Sequence, residues 1–289
     1  MTTNKNNWAF FGSSEFSVFV LEELRQHDML PNLIVTTPDK PKGRKLILTP
    51  NEVKLWAQEN GIEVIDPKSL KNNPDLISKL RTLDCNLFLV ASYGRIIPKE
   101  VFDIPSRKTL NIHPSLLPKY RGASPIQSQI LNDEKNIGVS IMLIDEEMDH
   151  GPVLIQKEIK KESEVLGRIE LEKLLAKEGA RLFNHIYKEW LEGAVDPVMQ
   201  KEEDATYCTK IEKEDGKLDI DLNNLEKDAY KNLLKIKAYE GWPLTHFELN
   251  GRRIIIKDAK YTENKLEILR VIPEGKNEMS FEDFLRGQR

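Results

Sequence analysis

Three short runs carry apolar residues with no polar alternation: Trp8-Ala-Phe-Phe11, Leu33-Ile-Val35 and Leu87-Phe-Leu-Val-Ala91. A strand with one wet face alternates apolar and polar residues, whereas an unbroken apolar strand is buried on both faces, as in a parallel sheet covered by helices. The stretches between these runs supply the helices. Phe16, Phe19, Val20 and Leu24 recur at helical spacing after Gly12-Ser-Ser14, whose serines suit a helix start. Asn51 to Asn60, closed by Gly61, and Pro74 to Leu83 read as two more helices, and Ile62 to Ile65 and Leu110 to His113 as further strands. The segment 38–50, PDKPKGRKLILTP, reads as a loop. The chain is therefore expected to open with an α/β unit built on a doubly wound, mostly parallel sheet, with ligands beyond the carboxyl ends of the strands.

Gly138 to Ile144 and Val153 to Ile159 are two later strands flanking the loop Asp145 to Gly151. Ile169, Leu171, Leu174, Leu175, Leu182, Phe183, Ile186 and Trp190 place a long amphipathic helix over Gly167 to Glu192. Residues 193–206 are polar, without periodicity, and read as a linker. A helix is then expected from about Asn224 to Lys237, followed by strands at Thr245 to Leu249, Arg253 to Lys257 and Lys265 to Leu269. Asn250-Gly251 between the first two is a hairpin signal. The expected organisation is an α/β domain over 1–192, a linker over 193–206 and a smaller C-terminal β-barrel (OB-like) domain over 207–289.

At 289 residues, 39% hydrophobic and 31% charged, the chain has enough apolar material to close such cores. Its net charge of −4 excludes a protein that coats nucleic acid by bulk charge, but not one with a local basic patch. No apolar run reaches the ~20 residues that cross a bilayer, and the start lacks a secretory pattern, so a cytoplasmic protein is expected. Cys85 and Cys208 stand far apart, outside any metal-ligand spacing, and read as buried or half-buried thiols.

The chemistry concentrates in two places. In Asn111-Ile-His113, an amide and an imidazole alternate onto one face of a strand end, and the chain then turns through Pro114 and Pro118. Taken alone, the pair also fits a hydrogen-bonded core histidine and a turn-capping asparagine. The loop Asp145-Glu-Glu-Met-Asp149-His150-Gly151 fits a solvated tip, yet Asp149 stands just before Gly151 and the next apolar strand, where the loop folds back on the sheet. A histidine and a carboxylate at neighbouring strand ends can handle protons together. No nucleophile elbow, Walker loop or zinc-type cluster competes with them.

NIHPSLLPKYRGASPIQ, with MDHGPVL some thirty residues later, resembles the folate-dependent formyltransferases. The resemblance implies a catalytic triad of Asn111, His113 and Asp149. It implies a tetrahydrofolate-binding turn at Ser115, Leu116, Leu117 and Pro118, with Gly94, Arg95 and Ile96 of SYGRIIP on the folate side. The co-substrate is then 10-formyltetrahydrofolate, and no metal is needed. Within the family, the loop TTPDKPKGRKLILTPNEVKLWA, the Tyr207-Cys-Thr-Lys-Ile211 start, Gly241-Trp-Pro243 and the closing GKNEMSFEDFL resemble the members that act on initiator methionyl-tRNA. In that reading Gly12 and Phe16 meet the methionyl end, Lys42, Arg44 and Lys45 meet the tRNA, and the protein is a monomer. The chain has Gly12-Ser-Ser-Glu-Phe16 where the family has Gly-Thr-Pro-Asp/Glu-Phe, and His150 where threonine is common. The rival readings are a formyltransferase acting on a nucleotide-linked amino sugar and a non-catalytic RNA-binding protein.

Overall fold

The apolar runs become central strands of a seven-stranded sheet in the computed structural model, which describes residues 7–43, 46–160 and 165–288. The first elements are β1 (Trp8–Phe11), α1 (Glu15–Gln26), β2 (Leu33–Val35), β3 (Lys40–Lys42), β4 (Ile47–Thr49), α2 (Glu52–Glu59), β5 (Glu63–Ile65), α3 (Pro74–Thr82), β6 (Leu87–Val90), α4 (Lys99–Phe102) and β7 (Thr109–His113). There follow β8 (Arg121–Gly122), α5 (Pro125–Leu131), β9 (Asn136–Leu143), β10 (Val153–Lys160) and α6 (Arg168–Glu192). The sheet order is β10-β9-β7-β6-β1-β2-β5. β1 is parallel to β2 and β6, β2 to β5, and β6 to β7, while β9 runs antiparallel to β7. The mostly parallel α/β sheet is thus observed, with one reversal at β9.

Burial explains the unbroken apolar strands. Every residue of β1 and β6 is buried, and the ring of Trp8 meets Phe183 of α6 edge to face at 5.3 Å, so the long helix seals one side of the sheet. On the other side Phe11 and Phe88 pack at 5.2 Å in a cluster with Leu33, Val35, Leu76 and Leu80.

Two compact units are present. The first comprises Met1–Arg121, Gly138–Ile159 and Lys173–Thr206; the second Gly122–Ile137, Lys160–Glu172 and Tyr207–Arg289. The second contains β11 (Tyr207–Cys208), α7 (Ala229–Ala238), β12 (His246–Leu249), β13 (Arg252–Thr262), β14 (Lys265–Pro273), β15 (Met279–Ser280) and α8 (Phe281–Arg286). Its β12-β13-β14-β15 sheet is antiparallel, of the kind a small barrel is made from. Asn250 and Gly251 both take positive φ, at 51° and 73°, as a two-residue hairpin turn requires. No helix among the described residues is long and apolar enough to cross a membrane.

Two expectations are corrected. The segment 38–50 is not all loop: β3 and β4 pair as a hairpin, with Lys40 opposite Thr49 and Lys42 opposite Ile47. Main-chain bonding makes this hairpin, and all of its side chains are exposed except Thr49, so no apolar alternation announces it. The helix expected from Asn224 begins only at Ala229. Asp228 stands at φ 51°, outside the helical region, and the Leu225 carbonyl accepts the N–H of Leu266.

Candidate active site

The parallel register sets the carboxyl ends of β1, β6 and β7 side by side, with Phe11 opposite Val90 and Val90 opposite Asn111. The turns that follow, at Gly12, at Gly94 to Ile96 and at Ser115 to Pro118, therefore share one sheet edge. Asn111 and His113 face the same way from β7.

His113 is buried. Its Nε2 lies 3.0 Å from the Tyr120 carbonyl, an acceptor only, so Nε2 carries a hydrogen and donates it. That commitment leaves Nδ1 toward Asp149, whose Oδ1 is 3.5 Å away. The same oxygen is 3.5 Å from Asn111 Nδ2. These separations stand at the outer limit of hydrogen bonding, so the three groups are gathered without being locked to one another.

Asp149 arrives by the fold-back expected before Gly151, but the loop sets out from the amino end of β7. β9 is antiparallel to β7, and Ile144 donates its N–H to the Thr109 carbonyl at the amino end of β7. The two motifs therefore do not meet at neighbouring strand ends; the loop folds back along β7 to reach His113. Three devices hold the fold-back. Asp145 accepts the Glu147 N–H at 3.0 Å and meets His150 Nδ1 at 2.8 Å, a hydrogen bond that raises the His150 pKa. Gly151 lies so close that a Cβ would stand 2.0 Å from the Leu143 carbonyl oxygen. Gln200 donates to the carbonyls of Asp149 and Gly151 at 2.9 and 2.8 Å.

The turn after His113 is bolted from beneath. Ser140 Oγ donates to the Ser115 carbonyl at 2.6 Å and accepts from the Leu117 N–H at 3.1 Å and from Gln156 Nε2 at 2.8 Å. Gln156 also donates to the Leu117 carbonyl at 2.7 Å, and Ser115 Oγ to that of Lys119 at 2.6 Å. Leu117 is buried, Leu116 and Pro118 are half-buried, and the Leu117-Pro118 bond is cis.

Around the edge, Ser17 rather than Ser13 or Ser14 collects the first amides. Its Oγ accepts from the N–H groups of Ser13 and Ser14 at 3.1 and 3.2 Å and donates to the Ala91 carbonyl at 2.6 Å. A Cβ on Gly12 would fall 2.5 Å from the Phe10 ring, so glycine is required there. Phe16 is only 2% exposed; it supports this turn from the core and presents no face to a substrate. Gly94 takes φ 73°, and Arg95 donates to the carbonyls of Pro67 and Lys68, both at 3.1 Å. Ile96 is 87% exposed at this edge. Lys42, on the hairpin, pairs with Glu52 at 2.8 Å. Arg44 and Lys45 lie outside the described residues.

Sequence reasoning passed over Tyr120, Arg121, Ser140, Gln156 and Gln200. For Ser140 a signal existed: it is a lone small polar residue inside an apolar strand, GVSIML, and buried polar groups need partners.

Comparison with known proteins gives the family of the chain. Residues 6–179 match the formyl transferase family. The methionyl-tRNA formyltransferase of Sulfurihydrogenibium sp. is 35% identical over 90% of this chain and 82% of its own length. That of Thermodesulfovibrio yellowstonii is 35% identical over 97% of this chain and 95% of its own. The solved structure of an N-formyltransferase from Helicobacter canadensis, in complex with folinic acid and dTDP-3-aminofucose, shares the fold with a TM-score of 0.62 at 18% identity, over 89% of this chain and 88% of that one. The chain belongs to the formyltransferase family, in the branch of the methionyl-tRNA formyltransferases.

Proposed function

We propose that the chain transfers a formyl group from 10-formyltetrahydrofolate to the free amino group of initiator methionyl-tRNA in the cytoplasm. The observation that carries this reading is the convergence of Asn111 and His113 on one oxygen of Asp149, 38 positions away from Asn111.

Attack of an amine on a formyl carbon builds negative charge on the formyl oxygen and positive charge on the nitrogen. The Asn111 amide answers the first as a donor, a role worth about 3 to 4 kcal/mol for a well-placed group. Asp149 and His113 answer the second as a pair. The ring faces the carboxylate with Nδ1 because Nε2–H is committed to Tyr120, so Nδ1 can take up a proton. The amine proton passes to this pair and returns to the folate nitrogen as it leaves.

When bound, 10-formyltetrahydrofolate supplies the activated formyl group. The bolted turn Ser115, Leu116, Leu117, Pro118 and the loop Gly94, Arg95, Ile96 would hold it; the exposed apolar side chain of Ile96 suits a flat aromatic molecule. The Gly12 turn at the same edge is suited to the methionyl end. The exposed Lys42, with Arg44 and Lys45 next in the chain, suits tRNA phosphates, and binding there weakens as salt rises. Identity of 35% over 90% and 97% of the chain to enzymes named for methionyl-tRNA supports that acceptor over a nucleotide-linked amino sugar.

Formyl-labelled 10-formyltetrahydrofolate offered separately with initiator methionyl-tRNA and with an amino-sugar nucleotide tests the reading. Label is expected on the methionyl group; label on the sugar alone overturns it.

A further inference from the structure

We propose that Gln200 is a positioning residue for the reaction, holding the Asp149 loop in register with His113, and that Arg121 fixes the direction in which its amide faces. This inference rests on the catalytic reading of Asp149.

Asp149 takes φ 53°, a backbone conformation that costs a non-glycine residue about 1 kcal/mol or more, so its surroundings must hold it there. The carbonyls on both sides of His150, those of Asp149 and Gly151, converge on one amide nitrogen at 2.9 and 2.8 Å. Both hydrogens of the Gln200 amide are thereby used on the loop. The other side of the amide is also specified. Arg121 Nε, a donor only, lies 3.0 Å from Gln200 Oε1. Turning the amide over would set its oxygen against two carbonyls and its NH2 against a guanidinium N–H, so only one orientation satisfies all three partners.

Arg121 is built in for this contact. Its side chain is 1% exposed, and its charge is met by both carboxylate oxygens of Glu202, at 2.9 and 3.1 Å. A buried guanidinium is costly unless it is paired in this way. The segment that carries Gln200 is itself pinned, since Val198 and Val153 exchange two backbone bonds of 2.8 Å. The same segment reaches the other half of the pair. Thr206 takes the N–H of Tyr120 on its hydroxyl and that of Arg121 on its carbonyl, both at 2.9 Å, and the Tyr120 carbonyl is the acceptor that orients His113. Residues 198–206 thus act as a jig: through Gln200 they set Asp149, and through Thr206 and Tyr120 they set the imidazole.

The test uses the full-length enzyme with two variants. Gln200→Met keeps the length and removes every hydrogen bond; Gln200→Glu keeps the acceptor for Arg121 and removes the two donors. Assayed below their measured unfolding temperatures, both are expected to lose about 100-fold in kcat, the scale of a 1 Å misplacement, with KM for folate and for tRNA unchanged. Combined with Asp149→Ala, either should cause no further loss, because the amide acts through that residue. Wild-type kcat in both variants, a rise in KM with kcat intact, or losses that multiply with Asp149→Ala would overturn the inference. Wild-type turnover in Asp149→Ala alone would instead overturn the catalytic reading, so the two failures are distinct.

Discussion

The turn after β7 and the hairpin after β2 belong to the same unit, and they are built in opposite ways. In the first, polar groups are tied to one another: Ser140 has three partners, Gln156 two and Gln200 three. In the second, the apolar side chains point to solvent, with Leu46 70%, Ile47 62% and Leu48 68% exposed beside the exposed Lys40 and Lys42. The difference separates two demands. Proton handling at Asn111, His113 and Asp149 needs groups held to a fraction of an ångström, whereas gripping a large polyanion needs available surface and charge. Substitutions in the first region should therefore act on kcat or on KM for folate, and those in the second on KM for the acceptor.

The hardest test of that division is removal of the reacting groups. Asn111→Ala, His113→Ala and Asp149→Ala are each expected to lower kcat about 10²- to 10³-fold, the scale of losing one oxyanion donor, with the thermal unfolding transition retained. Initial rates of label transfer and melting curves check this. Were the loss confined to KM for tRNA, the site would be a contact surface like the hairpin.

Next in size is Ser140→Ala. It strips the Ser115 carbonyl, the Leu117 N–H and the Gln156 amide of a buried partner at once. A destabilisation of about 1 to 3 kcal/mol is expected, read from the urea midpoint at unchanged slope, together with a raised KM for folate and an unaltered KM for tRNA. The hairpin should show the reverse. Ile47→Ser and Leu48→Ser remove side chains that are mostly exposed, so stability should move by no more than about 0.5 kcal/mol while KM for methionyl-tRNA rises. Lys42→Ala should reduce the salt slope of tRNA binding by about one. A large stability loss in either serine variant would show that the hairpin is structural.

These regions also differ in how far the sequence discloses them. The α/β sheet was legible because Trp8 to Phe11 and Leu87 to Val90 are buried on both faces and show it as unbroken apolar runs. The triad was legible as residue types, through Asn111-Ile-His113 and the MDHG loop. The direction of approach was not, because strand order and the reversal at β9 are properties of the whole sheet. The β3–β4 hairpin escaped because main-chain pairing alone forms it. Gln200 escaped for a related reason: it lies in a polar stretch without periodicity, and its importance comes from two carbonyls some fifty positions away.

The smallest expected effect lies at the rim of the ordered wall, in the Asp145–His150 pair. With side chains 29% and 27% exposed, the pair is partly solvated and should contribute no more than about 1 kcal/mol. Its hydrogen bond to Asp145 raises the folded-state pKa of His150 above the unfolded value of 6.5. A raised pKa means that the folded state holds the proton more tightly, so this contribution is complete below pH 6.5 and is lost as pH climbs through the folded pKa. The difference in unfolding free energy between the wild type and His150→Gln should therefore shrink from its low-pH value as the pH passes above 6.5. A difference that stays flat, or grows with pH, would show that the ion pair does not hold the loop, leaving the fold-back of Asp149 to Gly151 and the Gln200 amide.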